Sequence, residues 1–147
     1  MIIAVVDGMG GSIGTQIVLG LRHALPDETE IMALGTNAIA TGSMMRAKAT
    51  RGATGESAIS FSVGEAEVIM GSLSIVVPNS MMGEVSPRIA TAVASARGRK
   101  ILLPISNPPL EILGISKKPL QQLIKEAVYL VREQFGLSAV TEEEADV

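Results

Sequence analysis

Glycines spaced three residues apart are the feature of this sequence that could do chemistry. They lie in the segment 8–14, where Gly8, Gly11 and Gly14 fit the pattern GxxGxxG. Glycine lets a chain turn tightly and lets its backbone approach a ligand, and the first amides of a helix attract anions. Such a loop favours a phosphate group, provided that it lies between a strand and a helix.

The neighbouring residues predict that setting. Residues 2–6 form a continuous apolar run, typical of a strand buried on both faces of a parallel sheet. Over residues 12–25 the apolar side chains recur with helical spacing, and Pro26-Asp27 ends the predicted helix. The glycine segment is therefore predicted to connect the first strand to the first helix.

The remaining residues alternate between apolar runs and amphipathic stretches. They predict strands over 30–34, 58–63, 67–70 and 100–104 and a weaker helix over 37–50, while the run 74–77 is left unassigned. A further helix is expected from the cap Ser86 and Pro87 to a C-terminal cap at Gly98, and the strongest helix lies within 116–136. This alternation predicts one α/β domain over 1–140, with a Rossmann-like open parallel sheet between two helical layers.

In this setting the GxxGxxG segment resembles the loop of extended short-chain dehydrogenases and dihydrodipicolinate reductases, two Rossmann families that use nicotinamide cofactors. The resemblance implies that Gly8 makes the turn, residues 10–13 face a pyrophosphate and Gly14 serves packing. It also implies NADP or NAD as cofactor, with another phosphate-containing ligand as the open alternative. The whole chain resembles a short bacterial family of unknown function.

The acid that reads the ribose in such sites is missing from its usual place. It should lie about 20 residues beyond the glycines, at the end of the second strand. That place holds Thr36 and Asn37, which offer only neutral hydrogen bonds. Three basic residues follow: Arg46, Lys48 and Arg51. They either bind a 2′-phosphate, which favours NADP over NAD, or form a solvated helix face.

Asp7 is a second departure from the resemblance. A carboxylate about 6 Å from a phosphate costs roughly 3 kcal/mol per facing unit charge at an effective dielectric of 20. We therefore expect Asp7 to accept hydrogen bonds from the loop's own N–H groups, with a divalent ion bridging Asp7 and phosphate as the alternative. No metal site is predicted.

No catalytic residue can be assigned. The dehydrogenases pair a tyrosine with a lysine four residues later, whereas Tyr129 is followed by Glu133. His23 is expected to interact with the C-terminal end of the first helix. If the protein is an enzyme, Asp7 and Glu84 are the candidate acid and base.

Two further loops are predicted at the carboxyl ends of strands, where ligands bind in open α/β sheets. Two interpretations of Asn79 and Ser80 stay open: helix capping beside an adaptable methionine surface, and an approach to the glycine loop. Ser106-Asn107-Pro108 resembles a strand-end segment of lactate and malate dehydrogenases, in which the Asn contacts nicotinamide ribose and substrate. The predicted cofactor-binding residues are Gly8, Met9, Gly10, Gly11, Ser12, Ile13, Gly14, Thr36, Asn37, Asn79, Ser106 and Asn107.

Composition restricts the partners. The 147 residues include no cysteine and carry a net charge of −3, and residues 141–147 form an acidic tail that is expected to be disordered. The near-neutral remainder lacks the basic stripe of a nucleic-acid binder. No apolar run approaches the ~20 residues that span a membrane, and the N-terminus does not resemble a signal peptide, so a cytoplasmic location is expected. A mean hydropathy of +0.39 predicts excess apolar surface and hence a homo-oligomer.

These observations favour a small cytoplasmic protein that binds a nucleotide or dinucleotide through the glycine loop. Two alternatives stay open. One is a minimal NADP-dependent reductase whose active site is completed by a second subunit. The other is an oligomeric scaffold in which the glycine segment is only a turn.

Overall fold

The computed structural model describes residues 1–105 and 110–137, which form a parallel five-stranded sheet between two layers of helices. Apolar runs buried on both faces form the strands, and amphipathic stretches form the helices. The strands are β1 (Ile2–Asp7), β2 (Glu30–Gly35), β3 (Arg51–Thr54), β4 (Val68–Ser72) and β5 (Arg99–Leu103). The helices are α1 (Ser12–Ala24), α2 (Ala38–Arg46), α3 (Glu56–Ser62), α4 (Pro87–Ser95) and α5 (Leu120–Gln134).

The hydrophobic core is divided by the sheet into two halves. Side chains alternate along β1, so Val5 packs against α1, α2 and α5, whereas Val6 packs against α3 and α4. Both valines are almost fully buried. The predicted three-layer Rossmann-like architecture is therefore confirmed.

The order of the strands is β3-β2-β1-β4-β5, with β1 at the centre. The chain builds the sheet outwards from β1 to β3, then crosses to the other side of β1 to form β4. The loops that follow β1 and β4 therefore leave in opposite directions, and the crevice between them is where open α/β sheets bind ligands. The glycine segment lies in the first of these loops.

One predicted strand is wrong. Within the predicted strand 58–63, residues 59–63 alternate apolar and polar side chains, yet Glu56–Ser62 forms α3 and Val63–Glu65 continues it as a 3-10 turn. Only Ile59 and Val63, four residues apart, enter the core, while Phe61 between them is 76% exposed. The true period is therefore helical, and the apparent alternation depends on a phenylalanine that faces outwards.

The edge strand β3 was not predicted, because most of its side chains are exposed and carry no apolar pattern. The helix expected over 37–50 ends at Arg46, which leaves room for this strand. The run 74–77 is largely a 3-10 turn, Leu73–Val76, that follows β4 directly.

Gly98 does not cap a helix, contrary to the prediction. Helix α4 begins as expected, since Ser86 accepts a hydrogen bond from the Ile89 amide, but it ends at Ser95 with Ala96 as its cap. A Cβ on Gly98 would lie 2.4 Å from the carbonyl oxygen of Ala66. Glycine is required here because two backbone segments approach each other before β4 and β5 pair.

No helix in the described ranges is long and apolar enough to cross a membrane. The predicted acidic tail, residues 141–147, lies outside those ranges.

Gly98→Ala should destabilise the fold by about 1–3 kcal/mol, because the added methyl group would force the two backbone segments apart. Gly64→Ala is the matched control, since a Cβ there meets nothing within 4 Å, and it should change the free energy of unfolding by less than about 0.5 kcal/mol. Urea denaturation measures both. Equal effects of the two substitutions would contradict the close approach at Gly98.

Candidate functional site

The glycine loop makes a tight turn between β1 and α1. The Gly11 amide donates to the Gly8 carbonyl at 2.9 Å, and Gly11 adopts the left-handed conformation, with φ 77°. A Cβ on Gly11 would lie 2.8 Å from the Cα of Ala40. The loop therefore presses against α2, and only glycine satisfies both the conformation and the space.

Asp7 closes this loop from inside. Its side chain is buried, and its two oxygens accept from the Gly8 amide at 2.8 Å and the Gly14 amide at 2.7 Å. The expectation that Asp7 binds the loop's own amides is confirmed. Gly14 allows this contact, because a Cβ there would lie 2.9 Å from the Cβ of Asp7.

Three amides of the loop have no hydrogen-bond partner among the described residues. They belong to Gly10, Ser12 and Ile13. Gly10 and Ser12 are exposed, and α1 has neither an acidic residue in its first turn nor a side-chain cap. The positive end of the helix dipole is thus open to solvent at the mouth of the crevice.

Glu84 enters the site from the loop that follows β4. One oxygen, Oε1, accepts from the Met9 amide at 3.0 Å, the Thr36 hydroxyl at 2.7 Å and the Asn37 amide group at 2.7 Å. These bonds hold the pKa of Glu84 below its ordinary value, and the largest effect comes from the Thr36 hydroxyl. Glu84 therefore connects the loop after β4 to the ends of β1 and β2.

Thr36 and Asn37 lie at the end of β2, where sequence analysis placed them. Asn37 caps α2 by accepting from the Ala40 amide, and its Nδ2 donates to the Met9 carbonyl at 2.9 Å as well as to Glu84. The interaction with Glu84 was not predicted. The available signal was that Glu84 is the one carboxylate in residues 78–84.

Strained backbone is concentrated in the two loops that border the crevice. Within the described ranges, five residues other than glycine have a positive φ, and all but Lys48 are in these loops: Met9, Asn79, Met81 and Met82. Each such residue costs on the order of 1–3 kcal/mol and persists only where its surroundings hold it. The Asn79 amide, for example, donates to the Val85 carbonyl at 2.7 Å.

The two polar residues expected to approach the glycine loop from this side are placed differently. Asn79 is exposed, and its side chain has no hydrogen bond among the described residues. Ser80 is buried, and its hydroxyl donates to the Val77 carbonyl at 2.7 Å. Met81 makes the approach instead, with its Sδ 2.7 Å from the position of a Cβ on Gly8. Ser106 and Asn107 lie outside the described residues.

A shallow groove of about 410 Å³ runs between α1 and α2 from the glycine loop. Its lining residues are Gly10, Ser12, Thr15, Gln16, Leu19, Ser43, Arg46 and Ala47. Of the three basic residues that follow β2, Arg46 lines the groove and Lys48 is exposed just beyond α2. Arg51 instead forms ion pairs with Glu30 and Glu65 at the edge of the sheet.

The other candidates lie away from the glycine loop. His23 is in the last turn of α1, and Tyr129 is on α5 with 45% of its surface exposed. In the part of the chain that the structure describes, no three His, Cys, Asp or Glu side chains cluster as a metal site would require.

Asp7 gives the site a measurable dependence on pH. Burial raises the pKa of Asp7 above its ordinary 3.8, the bonds from Gly14 and Gly8 oppose the shift, and the charge of Glu84 adds to it. The folded protein therefore binds this proton more tightly than the unfolded chain. The contribution of Asp7 to the free energy of unfolding should fall as the pH rises from 3.8 through the raised pKa.

Asp7→Asn should remove that fall, although the variant is less stable overall because an amide N–H would oppose a loop N–H. Urea denaturation of both proteins between pH 3 and pH 7 gives the difference, and carboxyl ¹³C NMR gives the pKa of Asp7 directly. Glu84→Gln should lower that pKa, because one of its causes is removed. A wild-type pKa at or below 3.8 would contradict the burial argument.

Comparison of the fold with solved structures finds a similarity to a dodecameric FMN-dependent UbiX-like decarboxylase from Escherichia coli O157:H7. The two share 15% identity and a TM-score of 0.49, over 94% of this chain and 96% of that one. No curated protein matches the sequence.

The family comparison covers most of the chain. A family model described as a domain of unknown function, DUF3842, matches residues 2–136. Neither this family nor the UbiX-like decarboxylase supports the resemblance of the loop to extended short-chain dehydrogenases and dihydrodipicolinate reductases. The predicted likeness of the whole chain to a family of unknown function is confirmed: the chain belongs to the DUF3842 family.

Proposed function

We propose that this protein binds a nucleotide, or a similar small molecule with a phosphate group, in the crevice between the ends of β1 and β4. The observation that carries the proposal is the set of three amides, of Gly10, Ser12 and Ile13, that have no partner among the described residues. These amides lie at the N-terminal end of α1, next to the position between β1 and β4 where the strand order reverses. Phosphate groups bind at such positions in α/β sheets.

Asp7 and Arg46 are compatible with an anion at the glycine loop, whereas the Glu84 carboxylate, which accepts from the Met9 amide beside Gly10, repels one. Asp7 is turned inwards, and its oxygens are occupied by two loop amides, which reduces the repulsion expected from sequence alone. Arg46 lines the same groove as Gly10 and Ser12 and brings a positive charge to it. The amides and the guanidinium are complementary to a phosphate.

A buried hydroxyl group on β4 gives independent support. Ser72 is 3% exposed, and its Oγ has no hydrogen-bond partner in the described part of the chain. Val5 is paired with Met70, so Asp7 and Ser72 each follow two residues later and face the same side of the sheet. Buried hydroxyl groups are almost always hydrogen-bonded, so the unpaired Ser72 hydroxyl at the end of β4 is a candidate for contact with a ligand.

NAD, NADP and mononucleotides are the ligands to be compared first. The proposed contacts are those of the glycine loop and the ends of β2 and β4, and no catalytic role is assigned.

The position of Gly10 allows the anion site to be tested without disturbing the fold. A Cβ on Gly10 meets nothing within 4 Å, and its φ is not positive, so Gly10→Ala and Gly10→Glu should both fold. A carboxylate about 6 Å from a phosphate costs roughly 3 kcal/mol at an effective dielectric of 20. Gly10→Glu should therefore weaken the binding of ADP at least tenfold in calorimetric titration, and Gly10→Ala only slightly.

Gly64→Glu is the charge-matched control, because Gly64 is exposed, its Cβ position is open and it lies on the far side of the sheet from α1. It should bind ADP as the wild type does. The proposal is overturned if the wild type binds none of ADP, NAD and NADP, or if Gly10→Glu binds them as tightly as Gly64→Glu.

Self-association is a second proposal, and it is supported by apolar side chains exposed in the single chain. Leu113 is 92% exposed, Met82 93% and Phe61 76%. Large apolar side chains exposed in a single chain become buried when subunits associate. Light scattering coupled to size-exclusion chromatography should give a mass of at least twice 15.3 kDa, and a monomeric mass at micromolar concentration would refute a homo-oligomer.

A further inference from the structure

The carboxylate of Glu84 lies against the end of β2, where the sequence itself has no acid. It accepts from Thr36, which directly follows β2, and from Asn37, which begins α2. An acidic side chain therefore does lie at the end of β2, but it comes from a residue 48 positions after Thr36 in the chain.

The two oxygens of Glu84 are used unequally. All three hydrogen bonds to Glu84 end on Oε1, and Oε2 has no partner among the described residues. No Lys or Arg in those ranges forms an ion pair with Glu84, and the side chain is only partly buried. The three bonds fix the carboxylate in place through Oε1 and leave Oε2 without a donor among the described residues.

An ionised carboxylate only accepts hydrogen bonds, so Oε2 requires a donor. It repels phosphate and favours hydroxyl groups. Glu84 lies close to the proposed anion site. It accepts from the Met9 amide, and the next residue is Gly10, whose amide has no partner. A single nucleotide can therefore contact both with its phosphate and its sugar.

We infer that Glu84 accepts hydrogen bonds from the ribose hydroxyl groups of the bound nucleotide, and that it selects free vicinal hydroxyls against deoxy and 2′-phosphorylated sugars. This inference rests on the proposed function. It reverses the preference for NADP that Arg46, Lys48 and Arg51 indicated in the sequence. A carboxylate accepts a stronger hydrogen bond from a ribose hydroxyl than a neutral group does, and its charge repels a phosphate at the 2′ position.

The test compares ligands that differ only at the sugar. Wild-type protein should bind ADP at least tenfold more tightly than 2′,3′-dideoxy-ADP, and NAD more tightly than NADP, in calorimetric titrations. In Glu84→Gln the preference for ADP should fall below threefold, while the affinity for NADP should rise, because the repelling charge is gone. These opposite changes would not arise from a general loss of structure.

Two further variants make the result specific to the position of the carboxylate. Glu84→Asp keeps the charge but withdraws it by one methylene group, so it should lose the preference for ADP without gaining affinity for NADP. Glu28→Gln removes a charge from an exposed turn and should behave as the wild type. Urea denaturation shows whether each variant is folded.

The outcomes separate this inference from the proposed function. If ADP binds and Gly10→Glu weakens it, but dideoxy-ADP binds equally well to the wild type, the role of Glu84 is overturned and the anion site stands. If the preference for ADP persists in folded Glu84→Gln or Glu84→Asp, another residue reads the sugar and the inference is equally refuted. If the wild type binds no nucleotide, the proposed function itself fails.

Discussion

The backbone amides of the β1–α1 turn need acceptors, and the way in which two carboxylates divide them organises the site. Asp7 takes the amides of Gly8 and Gly14 from inside, and Glu84 takes the amide of Met9 from the opposite loop. An unpaired amide costs on the order of 1–3 kcal/mol when it is buried, so these bonds hold the turn in its strained shape. The three amides left without a partner, those of Gly10, Ser12 and Ile13, lie at the N-terminal end of α1.

This division also separates the charges. Asp7 is buried and is held between two N–H groups, whereas Glu84 is only partly buried and has hydrogen bonds on one of its two oxygens. Burial favours the neutral form of Asp7, while hydrogen bonds from Thr36, Met9 and Asn37 favour the charged form of Glu84. Two carboxylates that lie close together thus have different environments. One supports the loop, and the other presents an acceptor beside a group of donors.

Much of the fold could be predicted because its signals are local. The run 2–6, the glycines and the helical spacing after Ser12 lie within one continuous stretch. The observed β1 and α1 therefore differ from the prediction by at most one residue at each end. The errors occurred where the pattern depends on what covers a side chain. Phe61 mimics strand alternation because it is exposed, and β3 is undetectable because an edge strand needs no apolar face.

The sequence by itself determined the strand–loop–helix unit, the requirement for glycine in its turn and the acceptor role of Asp7, because these interactions join residues at most seven positions apart. Only the tertiary structure decided where the second acid stands. Glu84 and Met9 are 75 residues apart, and they meet because the strand order reverses at β1, which brings the loop after β4 beside the glycine turn. Strand order follows from packing of the whole chain, and no local pattern in the sequence encodes it.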